Sequence, residues 1–157
     1  MAISEWIEAT TFAEWVRTSP FGWPLMLYMH SIGMGIMLGL GFLLGMRLLG
    51  LFRRVPVCAF LPMFRLLWIA FIVNIVGGVA IFSSRATFFV ASIPFLLKMV
   101  SVITAAILTA DMQRKLVVAA PRIDSTGVIT GPLKALSWLT ISLWLFAIVS
   151  GRLTAYL

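Results

Sequence analysis

Long apolar runs alternate along the chain with short segments that hold most of its charged residues. Four runs are long enough to cross a bilayer, whose hydrocarbon core of about 30 Å requires roughly 20 helical residues. They predict membrane-spanning helices over about 23–49, 63–82, 94–113 and 133–156. Because backbone polar groups must be paired inside lipid, the pattern predicts an all-α integral membrane four-helix bundle. The chain 1–157 then forms a single transmembrane domain.

The segment before the first run has a different pattern, and it predicts an N-terminal interfacial amphipathic helix over 3–19. Its apolar residues fall on one side of such a helix: Ile3, Trp6, Ile7, Trp15 and Val16. Two tryptophans on a short amphipathic helix are typical of a position at the membrane surface. Since the first long apolar run does not begin at the N-terminus, we expect no cleaved signal peptide.

Composition supports a lipid environment. The chain is 62% hydrophobic and only 11% charged, whereas a soluble domain carries about 25% charged residues. The net charge of +7 lies between the apolar runs, so it favours anionic headgroups as partners and not nucleic acid. The single cysteine, Cys58, excludes an internal disulfide and any multi-cysteine metal site.

The distribution of cations predicts an orientation. Four spans place both termini on one side of the membrane, together with Arg17, Arg85 and Arg152. The opposite side carries a larger set of cations: Arg47, Arg53, Arg54, Arg65, Arg114, Lys115, Arg122 and Lys134. The positive-inside rule places that larger set in the cytoplasm. Both termini then face the periplasm, if the membrane is a bacterial inner membrane.

His30 is the only histidine, and it lies within the uncharged stretch 18–46. An ionisable side chain at that depth is costly unless it is neutral and paired, which makes it a candidate functional residue. Ligation of a metal or of heme is the leading functional interpretation. The structural alternative is a neutral imidazole that is hydrogen-bonded to a backbone carbonyl or to a neighbouring helix.

Three cations are predicted to lie near the same depth as His30, toward the outer ends of their helices: Lys98, Arg85 and Arg152. At that level the spans contain no acidic residue, and the protein counter-charges expected nearby are Glu5, Glu8 and Glu14 of the interfacial helix. Heme propionates are another anionic group that would neutralise the cations. The alternative is that these long side chains extend to lipid phosphates.

Methionines accompany the histidine on the first span. Met26, His30, Met34 and Met37 share a face at helical spacing. Thioether and imidazole ligands suit Cu(I), so His30, Met26 and Met34 form a candidate copper site. For heme, a second axial ligand on this chain would have to come from another helix, and Met99 is the best candidate. A ligand from a partner protein and an open position are the alternatives. The alternative is that the methionines fill gaps in helix packing.

Glycines and one amide complete the candidates. Gly33, one turn after His30, is expected to leave room for a flat cofactor. The small-residue pairs at 35/39 and 41/45 favour close approach of another helix. Asn74, in the middle of the second span, is expected to bond to a neighbouring helix.

Four stretches carry a resemblance: HSIGMGIMLG at 30–39, MRLLGL at 46–51, FLLKM at 95–99 and SGRLTAY at 150–156. Together they resemble an uncharacterised family of bacterial four-helix membrane proteins. The layout is more distantly similar to the copper-resistance D domain and to the HemJ-type protoporphyrinogen oxidases. The latter resemblance implies His30 as a ligand of heme b, with Lys98 beginning a later helix. Where HemJ-type proteins carry a further histidine, this chain reads ADMQ at 110–113.

These patterns predict a membrane redox protein that binds heme b, as an electron-transfer subunit or a small oxidase. Two alternatives remain open at this point. One is a copper-handling membrane protein, and the other is an anchor or assembly subunit without its own chemistry. Under each of the three hypotheses, the protein is expected to contact the lipid bilayer. It is also expected to contact other membrane or periplasmic subunits, or further copies of the chain. The sequence contains no nucleophile–base pair, phosphate loop or carboxylate dyad of the kind that would indicate a hydrolytic enzyme.

Overall fold

A computed structural model describes residues 3–154 of the chain, and all of its regular elements are helical. A short 3₁₀ helix, Val57–Phe60, precedes α4. The α-helices are α1 (Ile3–Glu8), α2 (Thr11–Thr18), α3 (Gly22–Leu48), α4 (Met63–Ser84), α5 (Ala86–Ala91), α6 (Ile93–Thr126) and α7 (Gly131–Leu153). The predicted end of the last span at 155–156 lies outside the described residues.

The helices α3, α4, α6 and α7 are each long and apolar enough to cross a membrane. Their side chains are distributed as lipid exposure requires. Large apolar residues such as Ile72, Val100 and Ile107 are exposed, whereas small polar residues such as Thr109 and Ser137 are buried between helices. Small and polar residues at helix contacts are typical of membrane bundles. The chain is therefore an all-α integral membrane protein with a four-helix bundle, as predicted.

The bundle consists of two helical hairpins. The α3–α4 hairpin and the α6–α7 hairpin are each tightly packed, and α3 and α7 form the main helix contact between them. The connections at 49–62 and 127–130 lie at one end of the bundle, which we call the basic end. The helices α1, α2 and α5 lie at the opposite end, where Arg17 donates to the backbone oxygen of Ser84.

The third spanning helix is longer than predicted, because α6 continues past residue 113 to Thr126. Its 34 residues extend about 51 Å at 1.5 Å per residue, well beyond a hydrocarbon core of about 30 Å. The charges after residue 113 mark the exit from lipid, but they do not end the helix. Leu116, Ala120 and Ile123 recur at helical spacing and are buried against the rest of the basic end. Gly127 then ends α6 in the left-handed conformation, with φ of 71°.

The predicted interfacial helix over 3–19 is interrupted, and it forms two short helices. Thr10 caps α2, since its Oγ1 accepts a hydrogen bond from Ala13 N, and this local bond competes with continuation of α1. Trp6 and Trp15 remain largely exposed, as a position at the membrane surface requires.

The segment 83–93, which joins the second and third spans and was predicted to be a loop, contains the short helix α5. Glu8 of α1 forms hydrogen bonds with this helix. Glu8 Oε1 accepts hydrogen bonds of 2.6 Å from the Thr87 hydroxyl and 2.7 Å from Thr87 N. These bonds favour the carboxylate, so they lower the pKa of Glu8 below its usual 4.5. The N-terminal helices are thus tied to the turn between α4 and α6.

A carboxylate joins the two hairpins at the basic end. Asp124, on the last turn of α6, accepts hydrogen bonds from Val57 N at 2.6 Å and Cys58 N at 2.9 Å. Arg47 lies 4.0 Å from the same carboxylate, and its Nε donates to Val55 O at 2.6 Å. Since Arg47 is only 5% exposed, Asp124 supplies the counter-charge for a buried guanidinium.

Candidate functional site

The candidate site lies where the two hairpins face each other, in the half of the bundle away from the basic end. Its centre is a reciprocal pair between α3 and α4. His30 Nδ1 lies 2.8 Å from the backbone oxygen of Asn74, and Asn74 Nδ2 donates to the backbone oxygen of His30 at 2.7 Å. The expectation that Asn74 bonds to a neighbouring helix is confirmed. The structural interpretation of His30, a hydrogen bond to a backbone carbonyl, is also what the structure contains.

This pair fixes the tautomer of the imidazole. A carbonyl oxygen only accepts, so Nδ1 of His30 carries the proton and donates to Asn74. In the neutral ring the lone pair is then on Nε2. That nitrogen has no hydrogen-bond partner among residues 3–154. Ligating histidines in metalloproteins commonly have this arrangement, with the second ring nitrogen donating to a carbonyl or a carboxylate.

Two glycines make the pair possible by bringing the helix backbones together. A Cβ atom on Gly33 would lie 2.5 Å from the backbone oxygen of Ala70 and 2.6 Å from Asn74 N. One on Gly77 would lie 2.6 Å from His30 N. The expectation that Gly33 leaves room for a flat cofactor is therefore wrong, because the backbone of α4 fills that space.

The cleft beside His30 is small and is shared by both hairpins. Its walls are His30, Met34, Met37, Leu38, Asn74, Lys98, Val102, Trp144, Ala147 and Ile148. The interior space of about 20 Å³ is enough for one water molecule. The topology therefore brings His30 and Lys98 to the same depth, as the sequence predicts.

Lys98 extends into the cleft from α6, and α7 makes room for it. A Cβ atom on Gly151 would lie 3.1 Å from Lys98 Cδ and 3.3 Å from its Nζ. Among the described residues, Lys98 forms no hydrogen bond or ion pair with an acid. The imidazole also lies against a glycine, since a Cβ on Gly78 would lie 3.0 Å from His30 Nδ1. Both basic side chains thus lie against glycines that leave space for them.

Several residues predicted for the site lie outside the cleft. Met99 follows Lys98 on α6, and because successive helical residues are about 100° apart it faces elsewhere and is 39% exposed. Met26 packs with Val16 and Ala80 instead. Met34 does line the cleft, and the structure adds Met37 to it.

The two outer arginines are likewise not part of the cleft wall. Arg85, at the C-terminal end of α4, and Arg152, on the last turn of α7, are both exposed. They lie at the same end of the bundle as Lys98. Among the described residues, no group of three or more His, Cys, Asp or Glu side chains is arranged to hold a metal ion.

Sequence reasoning missed Trp144, Gly78 and Gly151. Trp144 is buried in the cleft wall, and its Nε1 donates to Thr109 Oγ1 at 3.3 Å. Gly151 stands within a stretch that carries the resemblance, but the sequence holds no sign that it seats a lysine from another helix.

Fold and site together define a multi-pass α-helical membrane protein whose two hairpins enclose an imidazole and an ammonium group. No family model matches the chain, and no curated protein or solved structure matches it. The function is therefore argued from the cleft alone.

Proposed function

We propose that this protein is a membrane redox protein that binds heme b through Nε2 of His30. The observation that carries the proposal is the bond from His30 Nδ1 to the backbone oxygen of Asn74. It holds the imidazole in the tautomer that ligation requires and orients the ring within the bundle. Imidazole is a common axial ligand of heme iron.

Lys98 supports the same proposal through its charge. An ammonium group this deep in a membrane bundle is costly without an anion. A heme propionate would supply that anion beside the imidazole. His30 and Lys98 line one cleft, and Gly78 and Gly151 leave space for their side chains there.

Bound heme would supply one-electron chemistry, and the protein residues would orient and shield it. The cleft is closed to a porphyrin in the described arrangement, since it holds about one water molecule. Binding therefore requires the α3–α4 and α6–α7 hairpins to move apart. The proposal places this movement at the contact between the hairpins, which is smaller than the packing within each of them.

The proposed role is that of an electron-transfer subunit or a small oxidase, in line with the resemblance to HemJ-type proteins. Met99 does not reach the cleft as described, so a second protein ligand to the iron would have to come from elsewhere. Arg85 and Arg152, exposed at the same end, are proposed to guide propionates or the anionic group of a partner subunit.

Copper handling is the second candidate, because Met34 and Met37 place thioethers beside His30. Lys98 argues against it, since its positive charge in the same cleft opposes the binding of a cation. A copper site predicts a colourless protein with stoichiometric metal that is lost in Met34→Leu. An anchor subunit predicts neither metal nor heme.

We expect detergent-purified, heme-supplied protein to show a Soret band and a b-type spectrum after reduction with dithionite. His30→Ala should abolish both, because it removes the proposed ligand. Adding free imidazole to His30→Ala should restore the band, since imidazole can occupy the space that the substitution leaves. A flat spectrum in folded wild-type protein would overturn the heme proposal.

Adjacent residues on α6 provide a matched comparison for this experiment. Lys98→Met should weaken heme retention, because it removes the charge partner of a propionate. Met99→Leu should leave the reduced spectrum unchanged, since Met99 lies outside the cleft. A spectral change in Met99→Leu would instead identify that thioether as an axial ligand.

We further propose that the membrane is a bacterial inner membrane and that both termini face the periplasm. The support is the excess of Lys and Arg near the connections at the basic end. A C-terminal fusion to an enzyme that works only in the periplasm should be active. A C-terminal fusion to a reporter that works only in the cytoplasm should be inactive. The opposite pattern would reverse the orientation.

A further inference from the structure

The turn that follows α3 has an unusual backbone. Gly50 has φ of 104°, and Phe52 has φ of 51°, the only positive φ of a non-glycine residue between 3 and 154. A left-handed conformation is strained for an ordinary residue, because its Cβ approaches the following carbonyl oxygen. Such strain persists where the surrounding structure imposes it, and it is found disproportionately at functional positions.

Hydrogen bonds hold this 50–55 turn in place. Arg47 Nε donates to Val55 O at 2.6 Å, and Arg53 Nε donates to Gly50 O at 3.1 Å. Leu51 N also donates to the backbone oxygen of Met46 at 3.0 Å. The turn is thus a fixed feature of the basic end.

The turn presents apolar and cationic side chains together. Leu51 is 46% exposed, Phe52 is 52% exposed and Val55 is 40% exposed. Arg53 and Arg54 lie between them and are exposed. Within residues 3–154, neither arginine forms an ion pair with an acid.

Its position identifies the surrounding medium. The turn begins two residues after α3 ends at Leu48, where the chain leaves the apolar span. At this depth exposed apolar side chains reach the acyl chains, while guanidinium groups reach the phosphate layer. Guanidinium groups bind phosphate oxygens in a bidentate way, which an ammonium group cannot do.

We propose that the 50–55 turn is a binding site for an anionic phospholipid. Arg53 and Arg54 bind the headgroup phosphate, and Leu51 and Phe52 enter the acyl layer beside it. In this left-handed conformation the Phe52 side chain is 52% exposed, so its ring is available to the acyl layer. The site is independent of the heme proposal, because it lies at the other end of the bundle.

The test is the thermal unfolding midpoint of the detergent-purified full chain with added phosphatidylglycerol or phosphatidylcholine. A ligand that binds only the folded state raises this midpoint. We expect phosphatidylglycerol to raise it more than phosphatidylcholine does. The double variant R53Q/R54Q should lose most of that difference. An equal difference in R53Q/R54Q and in wild type would overturn the proposal.

A matched control removes the same charge elsewhere at the basic end. Arg114 and Lys134 are also exposed and unpaired with acids in the described structure, so R114Q/K134Q should retain the phosphatidylglycerol effect. Loss of the effect there would show general attraction to the basic end and would overturn a site at the turn.

Two further measurements distinguish the contribution of the Phe52 ring from that of the two arginines. Phe52→Asn keeps a residue that tolerates positive φ but removes the ring, so it should reduce the effect of phosphatidylglycerol. Inorganic phosphate in place of lipid should give no rise in the midpoint. A rise with phosphate that matches the lipid effect would assign the arginines to a free anion and overturn the lipid proposal.

Discussion

Replacing Gly33 by alanine is expected to destabilise the protein by at least about 3 kcal/mol, at the upper end of the usual cost of overpacking. The added methyl group would lie 2.5 Å from the backbone oxygen of Ala70. A backbone atom cannot rotate away as a side chain can, so α3 and α4 must separate. The separation also breaks the reciprocal pair between His30 and Asn74. Unfolding in mixed micelles with an increasing fraction of denaturing detergent measures the loss.

The same substitution two residues further on is the control. Nothing lies within 4 Å of a Cβ placed on Gly35, and alanine has a higher helix propensity than glycine by about 1 kcal/mol. We therefore expect Gly35→Ala to be neutral or slightly stabilising. If the two alanine variants unfolded at the same detergent fraction, the close approach of α3 and α4 at Gly33 would be wrong.

Asp124→Ala is expected to have a comparably large effect at the basic end. It removes the acceptor for the N–H groups of Val57 and Cys58 and leaves the buried Arg47 without its counter-charge. Arg47 is buried whereas the Asp124 side chain is 20% exposed, so we expect a loss of about 2–3 kcal/mol, the scale of hydrogen bonds to a charged group. The same unfolding measurement should show this loss, and the cooperativity between the two hairpins should fall with it.

Asp111 provides the matched comparison, because it is also an aspartate on α6 with a basic partner. Its pair with Lys115, at 2.6 Å, is largely exposed on both sides, and exposed pairs contribute about 0–1 kcal/mol. Asp111→Ala should therefore cost less than 1 kcal/mol. The double variant R47M/D124A should lose less stability than D124A alone, since it leaves no buried charge. Equal losses of stability in D111A and D124A would contradict the role of Asp124 in joining the two hairpins.

The two large effects concern different parts of the molecule, the middle of α3 and the basic end, and they bear on the proposed function in different ways. Gly33 holds the imidazole of His30 against α4, so its substitution should also disturb any heme spectrum. Asp124 joins the hairpins far from the cleft. Its substitution should weaken the fold while leaving the local geometry of His30 unchanged.

The spans were predictable because lipid imposes a simple requirement, namely enough consecutive apolar residues to cross about 30 Å. The topology followed from their number, and it correctly brought His30 and Lys98 to one depth. The end of α6 was not predictable in the same way. Hydropathy reports where the chain leaves lipid, whereas the helix continues because Leu116, Ala120 and Ile123 are buried against the basic end.

The individual site residues show a similar division. Asn74 was recognisable as a helix-bridging residue, since an amide inside lipid needs a partner. Met99 and Met26 were not placed correctly, because helical spacing gives the relative faces of residues and not which face meets another helix. The role of Gly78 and Gly151 could not be predicted, because the side chains that pack against them, His30 and Lys98, come from distant parts of the chain.

The four spanning helices of a membrane protein could be derived from the amino-acid order alone, because insertion into a bilayer depends on the length and polarity of each run, which are local properties. Three features emerge only from the packing of the helices. The α4 backbone fills the space at Gly33, a backbone carbonyl sets the tautomer of His30, and the Asp124 carboxylate joins the two hairpins at the basic end. These features depend on the rotation and separation of helices at ångström precision, which packing between distant residues fixes and local composition does not.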